Sequence, residues 1–138
     1  DNIFDQSPED KLFPFCQDTN IGVLVRVPLD EGGLGGAITA DTVFPDGDFR
    51  SSYFKGDRKQ QIVDRVSKLL QTSAAEARGI AELALRFTLS PPAVSTVIPG
   101  MRSMKNVEAN CALSDGRLLS SKLLSELKNH RWVRDFYH

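Results

Sequence analysis

The chain has 138 residues, of which 41 % are apolar and 25 % charged, and its formal net charge is −1. This length is enough for one globular domain with a hydrophobic core, and the near-neutral charge argues against a surface for nucleic acid or another polyanion. No apolar run reaches the roughly 18 residues of a membrane span, and the polar opening DNIFDQSPED does not resemble a signal peptide. We therefore expect a cytoplasmic protein.

The first elements predicted along the chain are a short strand at residues 2–5, a helix from Ser7 to about Asp18 and a strand at residues 21–27. Ser7 and Pro8 provide a capping hydroxyl and a proline suited to the first helical position. Pro14 removes a backbone donor and predicts a kink or restart. The strand IGVLVRV is apolar enough to be covered on both faces.

A long loop with many glycine and proline turns follows at residues 28–57. Loops of this length in a compact domain are usually functional or disordered. Its aromatic side chains indicate packing rather than disorder: Phe44, Phe49, Tyr53 and Phe54. Two interpretations stay open, namely that these aromatics only hold the loop down or that the loop takes part in function.

Three further helices are predicted. The first runs from residue 57 or 58 to about 72, and Ser73 and Glu76 form a capping box for the second, which ends before Pro91. Ser120 or Ser121 caps the last helix, and an aromatic tail with Trp132, Phe136 and Tyr137 follows. Cys16 and Cys111 have no metal or redox spacing, and we expect buried, reduced thiols on helices. The sequence predicts solvated surface positions for His130 and His138.

The stretch AVSTVIPGMRSMKNVEAN at residues 93–110 organises the rest of the chain. It predicts a strand at residues 94–98, a Pro-Gly corner and a helix with Ser103 as its N-cap. A helix N-terminus beyond the carboxyl end of a parallel strand attracts anions, and Arg102 adds a planar guanidinium suited to phosphate. From local physics alone, the corner is either a nucleotide phosphate pocket or an ordinary strand–helix corner with a solvated arginine.

The alternation of strands and helices predicts a parallel sheet with helical cover. Three strands do not close a barrel, and an open sheet leaves unpaired edges. Such edges predict association, for example between identical chains.

Three segments carry a resemblance to a known family. IPGMRSMKNVEAN resembles the strand-eight and cofactor-helix signature of the aldo-keto reductases, LALRFTLSPPAVSTVIPG is similar to the preceding helix and strand, and VRVPLDEGGLGGAI resembles the loop after strand seven. The resemblance extends from Asn2 to RWVRDFY and covers the C-terminal part of such an enzyme. It implies an α/β fold over residues 1–138: the C-terminal portion of a (β/α)8 TIM barrel, with three parallel strands, covering helices and a C-terminal helix.

The resemblance also implies a cradle for a nicotinamide cofactor. Val27, Pro28 and Leu29 match a Ser-Pro-Leu segment that touches the pyrophosphate, and Gly32, Leu34 and Gly36 match the following Gly-Leu-Leu-Thr-Gly. The positions that match the adenosine-phosphate helix are Gly100, Met101, Arg102, Ser103, Asn106 and Asn110. We expect Arg102 to contact a 2′-phosphate, which favours NADP over NAD.

This chain departs from the family pattern at several positions. Asp1 stands where a tyrosine usually stacks on the nicotinamide, and Ala109 replaces a frequent glutamate near the adenine. Gly35 and Ala37 replace a threonine and a lysine in the loop. These changes weaken the expected cofactor contacts without removing the pattern.

Members of the family transfer a hydride from the cofactor to a carbonyl, using a tyrosine, lysine, histidine and aspartate of the N-terminal half. None of these catalytic residues is expected here, because the resemblance covers only the C-terminal part of the barrel. Tyr53 and Tyr137 lie outside the catalytic motif. The resemblance therefore predicts part of an NADP-dependent enzyme acting on a small carbonyl substrate, inactive when isolated. The alternative is a non-catalytic module, built on a half barrel, that binds a nucleotide or another protein.

Overall fold

The computed structural model describes residues 1–73 and 76–138. A 3-10 turn at Ser7–Asp10 precedes the first helix, and a second lies at Asp30–Gly35. Two strands lie within these described ranges, β1 (Val23–Arg26) and β2 (Val94–Ile98). The helices are α1 (Leu12–Asp18), α2 (Phe49–Tyr53), α3 (Arg58–Ser73), α4 (Ile80–Leu89), α5 (Met104–Cys111) and α6 (Ser121–Lys128).

The two strands pair in parallel, as predicted, with Val25 opposite Val97 and Arg26 opposite Ile98. One face of the pair packs against Phe13 and Cys16 of α1. The expectation that both faces are covered is wrong, because Leu24 on the other face is 67 % exposed and Ile98 is 56 % exposed. The two-stranded sheet therefore has one packed face and one open face.

The expected third strand at residues 2–5 is a turn. The Asn2 side-chain oxygen accepts hydrogen bonds from the backbone N–H groups of Phe4 (2.9 Å) and Asp5 (3.0 Å), and the Asn2 N–H bonds to the Asp5 carbonyl. These local bonds use the donors that a strand would offer to a sheet. Ile3 and Phe4 are both fully buried, whereas neighbouring strand residues face opposite sides.

The main hydrophobic core lies among the helices, away from the sheet. Its fully buried side chains come from the N-terminal turn, the loop after β1, α3, α4 and α6: Ile3, Phe4, Leu34, Leu69, Leu83, Ala84 and Leu127. The loop aromatics Tyr53 and Phe54 are also buried there, which confirms that the long loop is packed. This helical body fixes the loops at the carboxyl ends of the strands.

Capping signals were accurate near the C-terminus and less so elsewhere. The Ser103 oxygen accepts from the N–H of Asn106, and the Ser120 oxygen accepts from that of Leu123, as predicted. The 3-10 turn begins at Ser7 without a capping hydrogen bond, since the Ser7 hydroxyl bonds to Asp5 instead, and the helical path breaks at Lys11 rather than near Pro14.

The predicted capping box at residues 73–76 falls partly outside the described residues. The helix that it was expected to open begins at Ile80, with Gly79 at the N-cap. The Glu76 carboxylate instead accepts hydrogen bonds from the backbone N–H and hydroxyl of Ser120. Glu76 thus joins the start of α6 to the segment before α4.

The two cysteines differ. Cys16 is buried, as expected, whereas Cys111 is exposed, because no residue of α5 is buried. His138 is exposed, and His130 is half-buried. In the part of the chain that the structure describes, no helix has the length and apolar character needed to cross a membrane.

Candidate functional site

A cavity of about 720 Å³ opens at the carboxyl ends of both strands. Its walls come from the loop after β1, the corner after β2 and the start of α2. Volumes of roughly 300–1,000 Å³ are typical of pockets that bind small molecules. In parallel sheets, ligands bind at this end of the strands.

Eight of the twelve residues predicted from the sequence line this cavity. They come from two segments about 70 positions apart: Val27, Pro28, Leu29, Gly32, Gly100, Arg102, Asn106 and Asn110. The other four do not line it. Leu34 is fully buried in the core, and Gly36, Met101 and Ser103 are exposed. A side chain at Gly36 would lie within 3.0 Å of Ile80 of α4.

The backbone at the mouth of the cavity is strained. Val27 has a φ of 57°, and Asp30 and Glu31 have φ values of 52° and 54°. A β-branched residue in this left-handed region is an outlier that costs energy. Strain of this kind concentrates at binding and catalytic sites, and here the Val27 carbonyl accepts from the Asn2 side chain (3.1 Å) and the Asp30 N–H (3.2 Å), which hold the turn.

The corner after β2 presents Arg102 to the cavity. The Asn110 side chain donates to the Gly100 carbonyl (3.3 Å), and the Ser103 oxygen accepts from the Asn106 N–H (3.2 Å). Within residues 1–73 and 76–138, the exposed Arg102 guanidinium makes no hydrogen bond or ion pair. Its full set of donors is therefore available to a ligand.

Sequence reasoning missed several lining residues, above all the charged ones. Asp48 and Arg50 form an ion pair in which Nε of Arg50 lies 3.0 Å from Oδ1 of Asp48 and its terminal nitrogen lies 2.6 Å from Oδ2. Hydrogen bonds from Arg50 and, to a smaller extent, the positive charges of Arg50 and Arg102 lower the pKa of Asp48 to about 2. The charged residues that line the cavity are Arg26, Glu31, Asp48, Arg50 and Arg102.

The signals for these residues were weak. Arg26 ends an otherwise apolar strand, and Asp48 follows a Pro-Asp-Gly turn, where aspartate is a common N-cap. Neither feature indicates which part of the fold the side chain approaches. That position follows from the path of the long loop.

The C-terminal segment fastens the loop after β1. Asp30, 2 % exposed, accepts hydrogen bonds from Arg134 and from the Tyr53 hydroxyl (3.0 Å), and the Tyr137 hydroxyl donates to Glu31 (2.9 Å). Burial raises the pKa of Asp30, and the positive charge of Arg134 opposes that rise. Arg134 and Tyr137 thus hold the strained residues Asp30 and Glu31 in place.

The tyrosines of the chain are poorly suited to proton donation. Tyr53 is 3 % exposed, and burial raises its pKa strongly. Burial and the hydrogen bond to Glu31 raise the pKa of Tyr137 to about 12. In the described portion of the chain, no group of three His, Cys, Asp or Glu side chains is placed to hold a metal ion.

Comparison with known proteins decides the family. The model of the Aldo/keto reductase family matches residues 2–131. The chain belongs to the aldo/keto reductase family. It is 28 % identical over 111 residues to the NADH-specific methylglyoxal reductase of Escherichia coli (strain K12), a match that covers 80 % of the chain and 34 % of that protein.

A second relative is the aldo-keto reductase yakc [NADP(+)] of Schizosaccharomyces pombe, which is 27 % identical over 107 residues, or 76 % of the chain and 32 % of that protein. The chain thus spans about one third of the curated relatives that it matches.

Solved structures of aldo-keto reductases have a similar fold. The glycerol dehydrogenase AKR11B4 of Gluconobacter oxydans superposes with a TM-score of 0.80 at 21 % identity, over 94 % of this chain and 39 % of that one. The apo form of the aldo-keto reductase AKR11C1 of Bacillus halodurans gives a TM-score of 0.64 at 26 % identity, over 100 % of this chain and 44 % of that one. The family has a TIM-barrel fold, to which the parallel strand pair and its covering helices correspond.

Proposed function

We propose that this chain supplies the side of an NADP-dependent aldo-keto reductase that binds the phosphates of the cofactor. The observation that carries the proposal is the convergence of residues 27–32 and 100–110 on one cavity with Arg102 in its wall. Both segments were selected by their resemblance to the cofactor-binding segments of the family. Their meeting around one space supports a shared ligand.

The residues of the cavity fit such a cofactor. Two arginines, Arg26 and Arg102, offer charge for phosphate oxygens, whereas Arg50 lies in the same wall paired with Asp48. Gly32 has a φ of 106°, a conformation that favours glycine and lets a ligand approach the backbone closely. Phe49 and Ile98 add apolar surface suited to a base or ribose ring.

The division of roles follows from these contacts. When bound, the cofactor supplies the hydride that reduces a carbonyl compound to an alcohol. This chain's residues bind and orient the cofactor, with Arg102 at the 2′-phosphate and residues 27–32 at the pyrophosphate. The proton donor and the substrate-binding residues belong to other parts of the family's barrel, since Tyr53 and Tyr137 are held in structural hydrogen bonds.

Arg102 is the basis for choosing NADP over NAD. The names of the two curated relatives differ on this point, one being NADH-specific and the other naming NADP(+). In this chain, an exposed guanidinium with all its donors available stands beside the helix start. Such a group suits a dianionic phosphate better than a hydroxyl.

Calorimetric titration of NADPH and NADH against the chain and its Arg102→Ala variant tests the proposal. A lost charge-assisted hydrogen bond is worth roughly 1.5–3 kcal/mol, so NADPH affinity should fall about ten- to a hundredfold. NADH affinity should change little. Lys105→Ala is the matched control, because Lys105 is exposed in the first turn of α5, three positions after Arg102, and does not line the cavity. Equal losses for both cofactors would remove the NADP assignment.

The open sheet supports a second candidate, a non-catalytic module that associates with other chains. Leu24 and Ile98 are exposed on the unpacked face, and among the described residues each strand of the pair has one edge without a partner strand. Such edges favour pairing between identical chains. Light scattering of a dilute sample should detect association, and a stable monomer that unfolds cooperatively would count against it.

The reading frame upstream of Asn2 separates the two candidates. A frame that encodes the family's tyrosine, lysine, histidine and aspartate supports the reductase. A start codon immediately before Asp1 supports the non-catalytic module.

A further inference from the structure

Asp48 and Arg50 form a fixed ion pair in the wall of the cavity. Besides the two side-chain bonds, the Asp48 carboxylate accepts from the backbone N–H of Arg50 (2.9 Å) as the N-cap of α2. The Arg50 guanidinium also lies 4.8 Å from the centre of the Phe44 ring. Their side chains are only 21 % and 29 % exposed, so the pair is held on several sides.

This pair lies within electrostatic range of Arg102. Asp48, Arg50 and Arg102 all line the cavity, and the positive charge of Arg102 adds to the lowering of the pKa of Asp48, after the hydrogen bonds from Arg50. Asp48 and Arg102 nevertheless form no ion pair, because Asp48 is occupied by Arg50. An anion that binds Arg102 therefore meets an ion pair without net charge in the same cavity wall, because Asp48 neutralises Arg50.

We propose that Asp48 is a specificity-determining residue that limits the preference of the cavity for a 2′-phosphorylated cofactor. Its carboxylate neutralises Arg50 and so withholds the charge and the donors of that guanidinium from the 2′-phosphate. A cofactor with a 2′-hydroxyl group carries no charge at this position, so its binding depends little on whether Arg50 is neutralised. The inference rests on the proposed function, because it assumes that Arg102 binds the phosphate.

The variant Asp48→Asn tests this assignment with little risk to the fold. Asparagine caps helices about as well as aspartate, so the start of α2 should remain. Asp46→Asn is the matched control, since Asp46 lies two positions earlier in the same turn, is exposed and does not line the cavity. Thermal unfolding followed by circular dichroism verifies that both variants keep the fold.

The readout is calorimetric titration with NADPH and NADH, repeated with their fragments 2′,5′-ADP and 5′-ADP. Removing the negative charge of Asp48 leaves Arg50 with a net positive charge in the cavity wall, which should raise the ratio of NADPH to NADH affinity about three- to tenfold. The fragments should show the same change, and Asp46→Asn should show none. High salt should reduce the effect, because it screens interactions between exposed charges.

Each outcome has a distinct meaning. If Asp48→Asn leaves the affinity ratio unchanged while Arg102→Ala weakens NADPH selectively, the role of Asp48 is overturned and the proposed function stands. If Arg102→Ala affects NADPH and NADH equally, the NADP assignment falls. If the unmodified chain binds no probe at millimolar concentration, the proposed function and this inference both fall.

Discussion

Charged side chains occupy two regions of this chain that differ in burial and pairing. In the first, between α4 and residues 115–117, Arg86 is 2 % exposed and bonds to Glu82 (2.8 Å) and to both carboxylate oxygens of Asp115 (2.9 Å each). In the second, the cavity wall, Arg26 and Arg102 are exposed and Arg102 bonds to no described residue. We call the first region the Arg86 network.

This difference in burial and pairing distinguishes charged side chains that stabilise the fold from charged side chains that are available to bind a ligand. A buried charge requires partners for all its polar atoms, because desolvation otherwise exceeds the attraction. The Arg86 network meets this requirement with Arg117, which donates to Glu82, and with the Arg117 carbonyl, which accepts from Arg86. An exposed guanidinium loses little by staying unpaired, and its donors remain free to bind.

The sharpest test of the comparison is to remove Arg86. Arg86→Ala removes a buried guanidinium and leaves buried Glu82 with only two exposed arginines as partners, and we expect the unfolding free energy to fall by about 3–5 kcal/mol. Urea unfolding measures the loss. Arg78→Ala is the control, because Arg78 contacts the same carboxylate but its side chain is 83 % exposed, and it should cost under about 1 kcal/mol. Similar costs for both variants would contradict the distinction.

The Arg134–Asp30 pair shares features of both regions. It is buried, like the Arg86 network, but it holds the loop that lines the cavity. Arg134 also lies 4.4 Å from the centre of the Trp132 ring. Arg134→Ala leaves Asp30 with only the Tyr53 hydroxyl, and we expect a loss of about 1.5–3 kcal/mol.

Arg131→Ala, which breaks an exposed pair with Asp10, should leave stability nearly unchanged. A larger loss for Arg131→Ala than for Arg134→Ala would show that burial does not set the order of these effects.

Acid should reduce the contribution of the Arg86 network to the free energy of unfolding, because this network depends on an ionised carboxylate. Burial tends to raise the pKa of Glu82, but hydrogen bonds from Arg86 and Arg78 lower it from 4.5 to about 2. The ionised form therefore stabilises the fold fully above pH 4.5, and this contribution is lost as the pH falls through about 2. Urea unfolding between pH 6 and pH 2 should show a decline that Glu82→Gln reduces. Parallel curves for the two proteins would exclude Glu82 as the cause.

The parts of the structure that followed from sequence are those fixed by local signals. Apolar periodicity predicted α3, and a β-branched run with a capping serine predicted β2 and the start of α5. The family resemblance added eight residues of the cavity wall. These residues lie close together because β1 and β2 pair in parallel, which places the loops that follow both strands at the same end of the sheet. The strand–helix alternation of the sequence predicted this parallel pairing.

The parts that were missed depend on contacts between distant segments. Residues 2–5 form a turn because the Asn2 side chain bonds to nearby backbone and to the Val27 carbonyl. Asp48 and Arg50 reach the cavity through the path of a loop of some 30 residues, which no local pattern determines. Cys111 is exposed because α5 lies at the surface and buries none of its side chains in the core.

The smallest stability effect is expected for the residue with the largest proposed role in binding. Arg102→Ala removes an exposed guanidinium that contacts no described partner, and surface changes of this kind usually alter stability by no more than about 0.5 kcal/mol. The removal of one positive charge near Asp48 should also be nearly neutral for folding, because Arg50 still pairs with that carboxylate. Urea unfolding of Arg102→Ala should therefore match the unmodified chain, while its NADPH affinity falls. A loss of stability comparable to that of Arg134→Ala would mean that Arg102 supports the corner itself, and the contrast between the two regions would fail at its central residue.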